Sequence, residues 1–138
     1  MSILCTQFQD KPMNTNIIIF IILALVGFLA WRHLGGSKQV PSVRVDEVAA
    51  LRQQYPDLQI LDVRTPAEVA QGKIEGALVA DVTSSNFHTQ IAQLDKSKPY
   101  LVYCRSGRRS LTACQLMQKA GFSQVYNLEG GYQAWSSK

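Results

Sequence analysis

The stretch YLVYCRSGRRSLTACQLM, Tyr100 to Met117, decides how the chain is read. Tyr100 to Tyr103 form an apolar and aromatic run, bounded by Pro99, that leads straight into Cys104 and reads as a strand. Arg105, Ser106, Gly107, Arg108 and Arg109 follow. A helix is expected from Ser110, because Leu111, Cys114, Met117 and Ala120 recur at every third place and Gly121 closes the pattern. A thiol at a strand end, followed by three arginines and a glycine, is poor core design. Physically it makes sense as a reactive site. A loop curling into a helix N-terminus turns several N–H groups toward one point, and the helix dipole adds positive potential there. Helix N-termini and nearby cations favour thiolate over thiol. Gly107 allows a sharp turn, and Arg105, Arg108 and Arg109 are placed to hold an anion. Cys114 reads instead as an ordinary buried cysteine, on a helical face shared with Leu111 and Met117.

Outward from this stretch, strands and helices alternate. VDEVAALRQQY, Val45 to Tyr55, has helical spacing with Asp46 as candidate N-cap. LQILDV, Leu58 to Val63, is a buried strand. TPAEVAQG, Thr65 to Gly72, has Thr65 as N-cap, Pro66 in the first turn and Gly72 as the stop. GALVADV, Gly76 to Val82, is a short strand, and Phe87, Ile91 and Leu94 share a helical face. QVYNLEGG, Gln124 to Gly131, is a last strand, with YQAW as a terminal helical turn. This alternation predicts an α/β fold with a parallel sheet.

The N-terminal third has a different composition. Asn16 to Trp31 carries no charge, and its apolar core, Ile17 to Trp31, is 15 residues long. With the uncharged flank from Met13, the run reaches 19 residues, and Trp31 sits where an interfacial anchor would. A cleaved signal peptide fits less well, because Lys11 is cancelled by Asp10 and Trp31-Arg32-His33-Leu34 is a poor cleavage site. The expectation is therefore an uncleaved single-pass transmembrane anchor at residues 16–34, after a tail at 1–15 in which Met13 is a second candidate start. Arg32, Lys38 and Arg44 follow the span, against Lys11 before it, so the positive-inside rule puts the C-terminal domain in the cytoplasm. GGSKQVPS, residues 35–42, reads as a linker, and residues 43–136 as the α/β domain.

The full chain has 138 residues, a net charge of +4 and three cysteines, Cys5, Cys104 and Cys114. The length allows one domain with an appendage. An odd, sparse cysteine set is no disulfide framework and suits a reducing compartment. The arginines near Cys104 account for much of the charge, and no basic stripe interleaved with aromatics points to nucleic acid.

Three motifs bring a family into view. LDVRTPAEVAQGKIEGA, Leu61 to Ala77, resembles the Asp-Val-Arg…Glu…Gly-His-Ile-x-Gly-Ala signature of the rhodanese-like (thiosulfate sulfurtransferase) family, with Lys73 where the family usually has His. VYCRSGRRS, Val102 to Ser110, resembles its active-site loop. GFSQVYNLEGGYQAW, Gly121 to Trp135, resembles its closing Gly-Gly-x-x-Ala-Trp motif. The resemblance covers most of residues 43–135 and implies a single-domain, membrane-anchored member with a parallel sheet flanked by helices. It implies that Cys104 takes sulfane sulfur from a small anionic donor such as thiosulfate, or from a persulfide, and passes it to a thiol or cyanide. Backbone N–H groups of residues 105 to 109, Ser106 and Gly107 among them, would hold the persulfide charge. Arg105 and Arg109 would bind the donor, with Arg108 beside them. No metal or organic cofactor is implied.

Asp62 and Arg64 are expected as structural support near the site, Arg64 pairing with Glu68 across one helical turn. Gly76, Gly130 and Gly131 read as backbone requirements, and Trp135 as a packed anchor. His88 falls in a helix with no nucleophile partner in view and His33 lies next to the expected span, so neither is expected to be a catalytic base. Two other readings stay open. A cysteine-dependent phosphatase or arsenate reductase would place an arginine after five intervening residues, but that position is Ser110. A membrane-tethered docking module, or a sulfur carrier serving a membrane-bound protein partner, would use the same fold with little turnover.

Overall fold

A computed structural model of the chain describes residues 14–33 and 39–138. The chain divides into two units, Met1–Gly36 and Ser37–Lys138. The expected tail up to Met13, with Cys5 and Lys11, and the linker around residues 34–38 lie outside the described residues.

The first unit contains helix α1, Thr15–His33. From Ile17 to Ala30 its side chains are apolar on every side and exposed, Phe20 by 73%. The expected membrane span does not hold. No helix among the described residues is long and apolar enough to cross a membrane. The reason is length: Thr15 and Asn16 open the helix and Arg32 and His33 close it, leaving 15 apolar residues between. These rise roughly 22 Å at about 1.5 Å per residue, short of a hydrocarbon core of about 30 Å. The single-pass membrane location, the cytoplasmic orientation and the membrane-bound partner lose their basis together.

The second unit is the α/β fold the alternation predicts. Its strands are β1 (Ser42–Val43), β2 (Gln59–Asp62), β3 (Leu78–Val79), β4 (Tyr100–Tyr103) and β5 (Val125–Leu128). The helices are α2 (Val48–Gln54), α3 (Pro66–Ala70), α4 (Phe87–Ala92), α5 (Arg108–Lys119) and α6 (Gly131–Ser136). All strand pairs are parallel, in the order β1-β5-β4-β2-β3. Every residue of β4 is buried, as a central strand covered on both faces requires. The period-two alternation of a strand divides its side chains. Tyr100 and Val102 join Phe87, Ile91, Cys114 and Met117 in one core. Leu101 and Tyr103 join Val48, Leu51, Ile60 and Leu128 in the other.

The connections decide where a site can form. After β2 the chain moves outward to β3, whereas after β4 it moves the opposite way to β5. The sheet therefore has a topological switch point between β2 and β4, where crevices open at the carboxyl ends. Asp62 is paired in register with Tyr103, so both ends finish at the same level.

Most local expectations hold. Thr65 caps α3 with Pro66 in its first turn, and Gly72 follows the helix with φ +132°. Three readings need correction. Asp46 is not an N-cap: Val45–Glu47 forms a 3₁₀ turn ahead of α2, and the Glu47 carboxylate accepts the Arg44 N–H at 2.9 Å. Helix α5 starts at Arg108 rather than Ser110, so two of the loop arginines lie in its first turn. Leu111 is 38% exposed and does not share the buried face of Cys114 and Met117. Three-residue spacing drifts round a helix of 3.6 residues per turn, and Leu111 falls on the far side of that drift.

Candidate functional site

Cys104 follows β4 directly and is 1% exposed. Its sulfur sits in a ring of donors: the Gly107 N–H at 3.2 Å and the Ser110 hydroxyl at 3.5 Å. Burial pushes a thiol pKa up, and here that is the largest single influence. It is outweighed by the sum of hydrogen bonds from the Ser110 hydroxyl and from the N–H groups of Ser110, Ser106 and Gly107, so the Cys104 thiol is held below its ordinary value. The first turn of α5 has no side-chain cap, and the sulfur occupies the place a capping oxygen would take.

The loop can close this tightly because two glycines let it. Gly107 has φ +96°, and a Cβ there would stand 3.3 Å from the Gly130 nitrogen and the Leu128 carbonyl. Gly131 lies against the loop from below, and a Cβ there would collide with the Cys104 carbonyl and the Arg105 carbonyl group. The Tyr132 N–H then reaches the Cys104 carbonyl at 2.8 Å, and the Gln133 N–H reaches the Arg105 carbonyl at 3.1 Å. The closing Gly-Gly motif is thus a clamp on the backbone of the loop.

The arginines divide into two kinds. Arg105 and Arg108 are exposed and form no ion pair among the described residues. Arg109 is engaged in a two-pronged pair with Glu68, at 2.9 and 2.7 Å. Glu68 was expected to pair with Arg64, and it does not. The Arg109 guanidinium, followed by the Thr65 capping contacts, holds the Glu68 carboxyl down to about 2. Glu68 also accepts the Thr65 N–H and hydroxyl, at 3.2 and 3.0 Å, so one side chain closes a capping box on α3 and ties it to α5.

Arg64 turns inward instead. Its guanidinium meets Asp62 at 2.6 Å, and donates to the Gly72 carbonyl at 2.7 Å. It lies 4.2 Å from the ring centre of Tyr132 and 5.5 Å from that of Tyr103. The Tyr103 hydroxyl donates to Asp62 at 2.7 Å and accepts the Ile74 N–H at 3.0 Å. Asp62 and Arg64 are thus a fully buried, fully partnered pair that fixes the strand ends beneath the loop. Lys73, in the place of the usual histidine, donates to the Ala77 carbonyl at 3.1 Å.

The structure brings Cys104, Ser106, Gly107 and Arg109 together, with Arg105 and Arg108 exposed on the rim. Two contributors escaped the sequence reading. Ser110 was taken only as a helix start, yet its N–H and hydroxyl both act on the sulfur. Asn127 lies in the apolar run of β5, is 5% exposed, and accepts the Ser110 hydroxyl at 2.6 Å. The available signal was a polar residue in a buried strand, which must find a partner.

A cysteine held under a helix N-terminus, at the switch point of a parallel sheet, defines a cysteine-loop α/β domain. Comparison with known proteins places it further. The family model of the Rhodanese-like domain matches residues 44–138, and the chain belongs to that family. A sulfurtransferase of Allochromatium vinosum is 39% identical over 80 residues, covering 58% of this chain and 73% of the relative. The thiosulfate sulfurtransferase GlpE of Shewanella oneidensis is 36% identical over 78 residues, covering 56% and 75%. A rhodanese-like domain protein of Staphylococcus aureus, solved by crystallography, is 28% identical with a TM-score of 0.62, covering 70% of this chain and 91% of that one.

Proposed function

We propose that the chain is a rhodanese-type sulfurtransferase that carries sulfane sulfur as a persulfide on Cys104. The observation that carries this reading is the sulfur cradle: a buried thiol whose hydrogen bonds outweigh its burial and favour the anion. The Cys104 thiolate attacks the outer sulfur of thiosulfate. A new S–S bond forms, the old one breaks with its electron pair, and sulfite leaves. Total charge is conserved, because the persulfide takes the negative charge of the thiolate. The same N–H groups that hold the thiolate can hold the persulfide, an electrostatic role that needs no reorganisation during transfer. Cyanide or a thiolate then attacks the outer sulfur and regenerates the Cys104 thiolate.

Arg105 and Arg108 are the cations free to meet an anionic donor. Arg109 serves first as a strut, since Glu68 already neutralises it. The phosphatase reading is weaker for two reasons. Position 110 is a serine, and Arg109, the arginine next to that place, is tied to a carboxylate.

The test uses the full chain and its Cys104→Ser variant. Each is treated with thiosulfate and examined by mass spectrometry for one added sulfur on Cys104, then given cyanide and assayed for thiocyanate. Adduct and turnover in the parent, both absent in the variant, support the reading. An adduct without turnover points to a sulfur carrier. Neither, from folded protein with a free thiol, overturns thiosulfate chemistry and leaves the docking role.

A further inference from the structure

Behind Cys104 lies a row of hydrogen-bonding side chains, of which the sulfur chemistry above uses only the first, Ser110. The Ser110 hydroxyl is 3.5 Å from the Cys104 sulfur and 2.6 Å from Asn127 Oδ1. Asn127 Nδ2 in turn reaches the Ser42 hydroxyl at 3.3 Å. Ser110 is fully buried and Asn127 nearly so, whereas Ser42 stands at the surface at the start of β1. Strand pairing fixes the far end, because Ser42 and Asn127 are register partners.

A hydroxyl has one proton to donate. Ser110 therefore cannot donate to the Asn127 carbonyl oxygen and to a Cys104 thiolate at the same time. While Cys104 is a thiol, the two demands do not conflict: S–H donates to Ser110, and Ser110 donates to Asn127. When the sulfur is anionic, the Ser110 proton is wanted there, and the short contact with Asn127 Oδ1 would leave two acceptors facing each other. That conflict, buried, costs as much as a lost hydrogen bond. An amide side chain can resolve it, since a half-turn exchanges its oxygen and NH₂ ends. Ser42, exposed to water and able to donate or accept, meets either end of the amide.

We infer that Asn127 is a positioning residue that acts on Cys104 through Ser110, reversing the direction of the Cys104–Ser110–Asn127–Ser42 row as the sulfur changes charge. In the thiol state the row runs from sulfur to Asn127. In the thiolate and persulfide states Asn127 Nδ2 donates to Ser110 Oγ, and Ser110 donates to the sulfur. Cys104 gives its own proton to water, and Ser110 keeps its proton and only rotates. The inference rests on Cys104 being the reactive group. Ser110, Asn127 and Ser42 carry no charge of their own. The titratable groups that act on Cys104 are Arg109 of α5, paired with Glu68 of α3 and within reach of the Asp81 charge, and Cys114 of α5, with Arg105 of the loop and Arg108 at the start of α5 exposed at the rim.

The experiment is the pH profile of Cys104 alkylation by iodoacetamide, followed by peptide mass spectrometry, in the full chain. The variants are Asn127→Leu, Ser110→Ala and the pair combined. Asn127 serves Ser110 in both states, but the row that ends on the anion is charge-assisted, so Asn127→Leu costs the thiolate more and moves the profile to higher pH, with about threefold to tenfold less thiolate at a fixed pH below the midpoint. In the Ser110→Ala background the same substitution has no further effect. If Asn127 only accepts, its removal frees the Ser110 proton for sulfur and the profile moves to lower pH. That sign, or no movement, overturns the inference. Should Asn127→Leu not fold, the side-chain NH₂ resonances of Asn127 in the parent give the second readout. They shift along the Cys104 titration and stay still in Cys104→Ser; resonances that ignore the titration overturn the inference. Alkylation needs no sulfur donor, so failure here is distinct from failure to form a persulfide.

Discussion

Cys104 and Cys114 are ten residues apart in the chain, join the same core, and are 1% and 0% exposed, yet their thiols shift in opposite directions. Burial is the main influence on Cys114, in the middle of α5, and with the nearby Cys104 charge it pushes that thiol up to about 12. Cys104 suffers burial too, but it lies before the first turn of α5, where N–H groups have no carbonyl partner within the helix. Mid-helix those groups are already spent on the preceding turn. The lesson is that burial does not decide whether a cysteine is reactive. The supply of unspent donors does, and the supply is greatest at a helix start.

The largest expected effect separates the two thiols outright. Cys104→Ser should abolish sulfur transfer, by at least about 10³-fold, as removal of a nucleophile does. Cys114→Ala should leave transfer unchanged within a factor of about two, since the effects of a small core change fall on stability. At pH 8, iodoacetamide should label Cys104 and spare Cys114, because the alkylation profile of a thiol held below its ordinary value has its midpoint at lower pH. Labelling of Cys114 in folded protein at a comparable rate would break the comparison.

The next effect is aimed at the donor supply itself. Gly131→Ala puts a methyl group against the Cys104 and Arg105 carbonyls and adds the strain of φ +56°. The loop must shift, and a positioning error of this kind costs about 10- to 100-fold in rate. The alkylation profile of Cys104 should move to higher pH, while Cys114 stays protected. If transfer and profile both survive, the glycine clamp is not what shapes the cradle.

A smaller effect tests the other side of the comparison. Cys114→Ser replaces a buried sulfur by a hydroxyl among Ala113, Met117 and their neighbours. Burying that polar group costs about 1 to 3 kcal/mol in thermal or denaturant melts. The Cys104 profile should not change, because Cys114 donates nothing to it. A shift in the profile would mean that Cys114, neutral over this range, still contributes to the Cys104 cradle.

How much of this was legible beforehand follows from the kind of signal each feature leaves. The sheet was readable because each strand is a short apolar run between turn residues, and Thr65-Pro66 announces α3 in two letters. Cys104, Gly107 and the arginines were readable because their types are out of place in a core. Ser110 and Asn127 were not, since their role depends on β5 lying beside β4, a long-range fact that no local pattern carries. The partner of Glu68 was misread for the same reason: Arg64 is four residues away in the chain, but Arg109 is the one across the switch point. The membrane span failed on arithmetic that the sequence does contain, since polar residues at both ends of α1 shorten its apolar length.

The smallest effect concerns the strut between α3 and α5. Glu68 has its folded value near 2 against an ordinary 4.5, so it stabilises the fold fully above the ordinary value. That contribution is lost as pH falls from about 4.5 toward 2, because the unfolded chain binds its proton first. Glu68→Gln should remove this step from the acid-stability curve. At neutral pH it should cost about 0.5 to 1 kcal/mol, since the pair is partly exposed. The substitution also frees Arg109 from its counter-charge while leaving it close enough to act on Cys104 electrostatically. A third available cation should lower the alkylation midpoint of Cys104 slightly and tighten the apparent KM for an anionic donor by about two- to threefold, with Cys114 untouched. A weaker KM would instead make the Glu68–Arg109 pair, as a unit, part of the donor site. That result would shift weight from the donors around the sulfur to the rigidity that holds them in place.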